Sequence, residues 1–102
     1  MEEKMTTFVL LSKVSLRSPG EVKTMGETDR EFERRLAEEC PQVRRIASYA
    51  LLGSYDFLHI FEAPDARTAT KVALLAQTFG AGSTQTLTAI PFDEFREIAE
   101  EI

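Results

Sequence analysis

The run Leu51-Leu52-Gly53-Ser54-Tyr55-Asp56-Phe57-Leu58-His59-Ile60-Phe61-Glu62-Ala63-Pro64-Asp65 limits what this chain can fold into more than any other stretch. Apolar residues flank a Gly-Ser pair on both sides, and the run closes on Pro-Asp. Glycine accepts backbone conformations closed to other residues, so Gly53 and Ser54 mark a reversal between two strands. The spacing leaves open whether the turn has two residues or four. Asp65 then offers a side-chain acceptor to the first turn of a helix. One short span thus lays out strand, hairpin, strand and helix start.

The other elements fall in place around it. Thr7 to Val14 is rich in β-branched and large apolar residues and reads as a first strand. Ser18-Pro19-Gly20-Glu21 matches a capping box and predicts a short helical turn. A second capping signal, Thr28-Asp29-Arg30-Glu31, predicts a separate and clearer helix, in which Phe32, Leu36 and Cys40 recur every four residues with Ala37 beside them. Pro41 stops it. Val43 to Leu52 and Asp56 to Glu62 are the second and third strands. After Asp65, the residues Ala69, Val72, Ala73, Ala76 and Phe79 share one helical side, and Gly80 and Gly82 end that helix. Thr84 to Ile90 alternates with period two and is a fourth strand. Pro91 opens a last helix whose stripe is Phe92, Phe95, Ile98, Ala99 and Ile102, while Glu100 and Glu101 oppose the helix dipole at its end. The fold class is α+β. The order is β-α-β-β-α-β plus a C-terminal helix, a ferredoxin-like pattern with a four-stranded antiparallel sheet. A single domain over residues 6–102 is expected, with residues 1–5 disordered.

The stretch from Leu52 to Asp65, with Gly53, Tyr55 and Asp56 at the hairpin, resembles the signature of the GYD-domain family, small bacterial proteins without an established general function. The resemblance runs from the first strand to Phe95. It implies membership of the dimeric α/β-barrel group, whose relatives by fold include cofactor-free monooxygenases, haem-degrading proteins and lactone isomerases.

Composition narrows the function. A net charge of −5 repels phosphate and argues against nucleic acid or an anionic membrane as partner. RNA-recognition modules share this element order, but the basic residue and glycines of their binding strand are missing here. The single cysteine, Cys40, forbids an intrachain disulfide. It lies at a helix end, where the dipole disfavours a thiolate, and its spacing makes it a core residue. The first residues lack the basic start and apolar run of a signal peptide, so a cytoplasmic location is expected. One histidine, one cysteine and scattered glutamates offer no converging metal ligands, so neither metal nor cofactor is expected.

Both faces of the sheet read as apolar. Leu58 and Ile60 point one way on the third strand, and Phe57, His59 and Phe61 the other; Val9 and Leu11 alternate in the same manner with Phe8 and Leu10. Two helices cover only one face, so a homodimer joined through the other is expected, with Phe57 and Phe61 on the open side. His59, the sole histidine, would then face an inter-subunit cavity, where a neutral imidazole can act as base or ligand contact; a hydrogen-bonded interior histidine is the plain alternative. Tyr49, Tyr55 and Asp56 are further candidates for holding a small molecule, although Asp56 can equally accept backbone N–H bonds and hold the hairpin. Arg44 and Arg45 are adjacent on a strand, so they point to opposite faces. A dimeric binding or accessory protein is the first functional expectation. A cofactor-free or haem-related dimeric α/β-barrel enzyme of monooxygenase or isomerase type, using His59, is the second.

Overall fold

The computed structural model describes residues 4–14 and 18–102. The first three residues of the expected disordered segment lie outside this range. Seven elements follow in order: β1 (Thr6–Val14), α1 (Pro19–Glu39), β2 (Arg44–Ala50), β3 (Phe57–Ala63), α2 (Ala66–Thr78), β4 (Ala81–Ala89) and α3 (Phe92–Glu100). The strands form one antiparallel sheet in the order β2-β3-β1-β4. This is the ferredoxin-like arrangement expected.

Helix α1 corrects one expectation. Ser18 caps it, its Oγ accepting the Glu21 N–H at 3.3 Å, and Pro19 follows in the first turn. The helix then runs unbroken for 21 residues, through the second capping signal at Thr28. Gly26 is the weak point, yet a single interior glycine costs only about 1 kcal/mol against alanine, and no proline interrupts the chain. Arg34 bridges Glu31 and Glu38, and Arg35 reaches Glu39, all on the solvent side. The helix ends before Pro41, with the Cys40 N–H donating to the Leu36 carbonyl at 2.8 Å.

Phe8, Leu10, Phe32, Leu36, Cys40, Phe61, Ala63, Ala69 and Val72 make the core between the sheet and helices α1 and α2. Phe8 and Phe61 stack at its centre with ring centroids 5.6 Å apart. Burying a side chain of that size contributes about 1.5–3 kcal/mol. Phe61 is 1% exposed on the helix side, which overturns its expected place on the open face. Since successive residues alternate, Phe57 and His59 also take the helix side, and Leu58 and Ile60 take the open one. Pattern alone could not choose, because both sets are apolar.

Asp65 caps α2, its Oδ1 accepting the Thr68 N–H at 2.8 Å, and that bond holds its carboxyl below the usual carboxylate range. Gly80, at φ +101°, ends the helix, so Ala81 and Gly82 already belong to β4. Helix α3 stands apart. Every one of its residues is exposed, including Phe92 and Phe95. The chain measures 52 × 32 × 18 Å with a radius of gyration of 15.2 Å, against about 13 Å for a compact chain of this length.

The hairpin closes through the Leu51 N–H to the Asp56 carbonyl at 2.8 Å, leaving a four-residue loop from Leu52 to Tyr55. Gly53 sits at φ +148° in that loop, with nothing within 4 Å of the position a Cβ would take. The penalty for a side chain there is therefore conformational. Gly53→Val should cost about 1–3 kcal/mol, read as a lower thermal midpoint. An unchanged midpoint would show that the loop rebuilds without strain.

Candidate functional site

On the helix side of the sheet lies a pocket of about 310 Å³. Phe32 and Asp29 come to it from α1, Ser12 and Val14 from β1, Ser48 from β2, Phe57 and His59 from β3, and Ala76 and Phe79 from the end of α2. Its walls are mainly aromatic and aliphatic; Phe32 and Phe79 meet edge to face at 5.9 Å. His59 thus lines a pocket within one chain, where it was expected to face a cavity between two.

Polar groups gather at one side of this pocket. Arg45 is only 17% exposed although its strand is an edge. Its Nη2 donates to Asp29 Oδ1 at 3.2 Å and to Ser48 Oγ at 3.0 Å, and it stands 3.4 Å from His59 Nδ1. Its guanidinium also lies 5.6 Å from the centre of the Phe32 ring. Ser48 Oγ is 2.8 Å from His59 Nδ1. The hairpin explains the pair: with Leu51 bonded to Asp56, Ser48 falls directly opposite His59 across the ladder. Burial first, and then the Arg45 charge, hold the His59 imidazole below its ordinary value, while Asp29 acts in the opposite sense.

The other residues expected at a site are placed elsewhere. Asp56 Oδ2 accepts the Val14 N–H at 2.7 Å, and the Asp56 N–H donates to the Ser12 carbonyl at 2.9 Å. Its side chain is occupied with joining the hairpin to β1. The Tyr55 hydroxyl donates to Gln85 Oε1 at 2.6 Å, and the Lys13 ammonium lies 5.6 Å from the ring centre. Lys13 and Gln85 belong to the open side of the sheet, so Tyr55 does not share the His59 pocket. Tyr49 borders the pocket, but its partner in the ladder is Leu58 and it is 58% exposed. Arg45, Ser48 and Asp29 were not singled out as a group from sequence. The hairpin register would have found Ser48, and nothing in the spacing of α1 and β2 pointed to the Asp29–Arg45 pair. Among the described residues no three His, Cys, Asp or Glu side chains gather as a metal site, and no helix is long and apolar enough to cross a membrane.

The depressed His59 value links stability to pH. The unfolded chain binds a proton at this residue near its ordinary value of 6.5, whereas the folded chain does so only at lower pH. Its contribution is therefore complete above about pH 6.5 and is lost as pH falls below that. Urea unfolding of the wild type at pH 7.5 and 5.5 should show this loss, and His59→Gln should reduce it. An equal pH dependence in both proteins would mean that His59 is accessible and ordinary.

The comparisons with known proteins agree with this architecture. A protein of Thermus thermophilus called "glutamine synthetase and cystathionine beta-lyase binding protein" is 36% identical over 94 residues, covering 85% of this chain and 90% of its own. A dimeric ferredoxin-like protein of unknown function from Bacteroides fragilis superposes with a TM-score of 0.55 at 13% identity, over 83% of this chain and 94% of that one. The crystal structure of MtbAldR superposes with a TM-score of 0.57 at 15% identity over 85% of this chain, which spans only 54% of that longer protein. At such identities these two structures are evidence of fold alone. The GYD domain model matches residues 8–99, so this chain belongs to the GYD domain family.

Proposed function

We propose that the chain works as a homodimeric binding protein, an accessory module that pairs through its open sheet face and engages an enzyme as its partner. One observation carries the pairing. Val9, Leu11, Leu58, Ile60 and Leu87 lie in register across β1, β3 and β4 on the side that no helix covers. Polar pairs bound this patch at both ends: Arg44 with Glu62 at 3.8 Å, and Lys13, Tyr55 and Gln85 at the other. An apolar centre with a polar rim is the usual anatomy of an interface. In this reading the exposed apolar stripe on α3 (Phe92, Phe95, Ile98) grips the second protomer. Dimeric proteins among the structural neighbours support the same reading.

The kind of partner is suggested by the Thermus thermophilus relative, which is named for binding two enzymes, glutamine synthetase and cystathionine beta-lyase. We extend that role to this chain: the dimer docks on a metabolic enzyme and leaves the chemistry to it.

Two measurements test these steps separately. Light scattering at micromolar concentration should give twice the chain mass of 11.5 kDa for the wild type and a single chain for Ile60→Lys. A charge at the centre of a dry interface costs several kcal/mol, enough to abolish pairing. A wild-type monomer would overturn the dimer. Co-elution with purified glutamine synthetase or cystathionine beta-lyase from the same source should be seen for wild type at tens of micromolar; separate elution of all three would overturn the partner assignment and leave the dimer standing.

A further inference from the structure

The pocket behind the sheet has a chemistry of its own, independent of the dimer. Two contacts at Nδ1 favour one tautomer of His59. Arg45 Nη2, which can only donate, lies 3.4 Å from Nδ1. The same Nη2 donates to Ser48 Oγ, which leaves the serine hydroxyl hydrogen for Nδ1 at 2.8 Å. A cationic nitrogen beside Nδ1 disfavours a hydrogen there, and a lone pair on Nδ1 gives the serine hydroxyl hydrogen its acceptor, which assigns the hydrogen of a neutral ring to Nε2. Among the described residues no side chain or backbone group bonds to Nε2, and no buried side-chain polar atom is left without a partner. Nε2–H is thus a donor on a ring that lines the pocket and is open to a visitor.

The charges facing the ring are Arg45 from β2 and Asp29 from α1, and these two pair with each other at 3.2 Å. From β1 the pocket receives Ser12 and Val14, and from the end of α2 Ala76 and Phe79, none of which carries charge. Phe32, Phe57 and Phe79 supply aromatic walls beside the aliphatic Met25, Ala50 and Ala81. We propose that this pocket is a small-molecule site within each protomer, taking an aromatic compound whose oxygen acceptor, a carbonyl or carboxylate, receives the His59 Nε2–H. A volume near 310 Å³ is at the lower end of ligand pockets and suits a single ring with a short side chain. Ser48 and Arg45 act as positioning residues, since they engage Nδ1 and leave Nε2 to the ligand.

The test uses the full chain and nuclear magnetic resonance. Imidazole ¹⁵N shifts at pH 7.5 should report hydrogen on Nε2 and none on Nδ1, and Ser48→Ala should shift the tautomer balance. Phenylacetate and acetophenone, added to millimolar levels, should move the amide signals of Ser12, Phe57 and Phe79, whereas phenethylamine, which presents a charged donor, should not. Comparing the first two separates carboxylate from carbonyl as the preferred acceptor. His59→Phe should weaken the better probe about tenfold, the scale of one hydrogen bond with its neighbours left unmatched, and His59→Gln, which keeps an N–H donor, should recover part of it. Hydrogen on Nδ1, equal response to phenethylamine, or equal binding by His59→Phe would each overturn the proposal, as would no response to either acceptor. Should His59→Phe fail to fold, the tautomer and Ser48→Ala still decide it.

Discussion

Three hydrogen bonds at Asp56 hold the rest of the structure in register. Its N–H donates to Ser12, its carboxylate accepts from Val14 and its carbonyl accepts from Leu51. One residue at the start of β3 is thereby tied to the strands on both sides. Without the carboxylate the Val14 N–H would lose its partner, at about 1–3 kcal/mol if it stayed dry. The geometric effect is larger. A slip of one residue would send Phe61 and His59 to the open side and drive Leu58 and Ile60 into the core. Gly53, Tyr55 and Asp56, the residues of the family signature, all act on this one junction. Gly53 supplies the backbone conformation of the loop, Tyr55 braces it against Gln85 on β4, and Asp56 fastens it to β1.

Local chemistry was legible in the sequence where one residue type answers one local need. Ser18 and Asp65 cap helices as their side chains require, Pro41 stops α1, and the four-residue spacing of Phe32, Leu36 and Cys40 marks its buried side. Two things were hidden. The second capping signal at Thr28 was real as a pattern but idle, because a helix already under way from Ser18 has no reason to end there. The side taken by His59 was also hidden, since alternation gives two faces and only packing names them. Phe61 settles it by stacking on Phe8. Of the candidate site, His59 was visible as the sole histidine, while Ser48 needed the hairpin register and the Asp29–Arg45 pair needed the approach of α1 to β2.

Strand β3 therefore carries two separate jobs on alternate residues. Phe57 and His59 serve the pocket behind the sheet, and Leu58 and Ile60 serve the face in front of it. The arginines of β2 divide in the same way: Arg45 is drawn inward and paired, whereas Arg44 remains 74% exposed at the rim of the open face. Because the two sides are separated by the thickness of one backbone, a change on one side need not alter the composition of the other.

The detached position of α3 has a consequence for order within the chain. Nine residues are too few to hold a helix in water on their own, since nucleation is costly and propagation must repay it. Asp93 and Glu94 near its N-terminus and the Arg96 guanidinium 5.4 Å over Phe92 supply small local support. The remainder has to come from whatever covers Phe92, Phe95 and Ile98. Coil-to-helix conversion of this segment is then thermodynamically linked to the binding of whatever covers that stripe, and obeys mass action in its concentration. The segment is a gauge of occupancy, with its helicity following how often its own apolar stripe is covered.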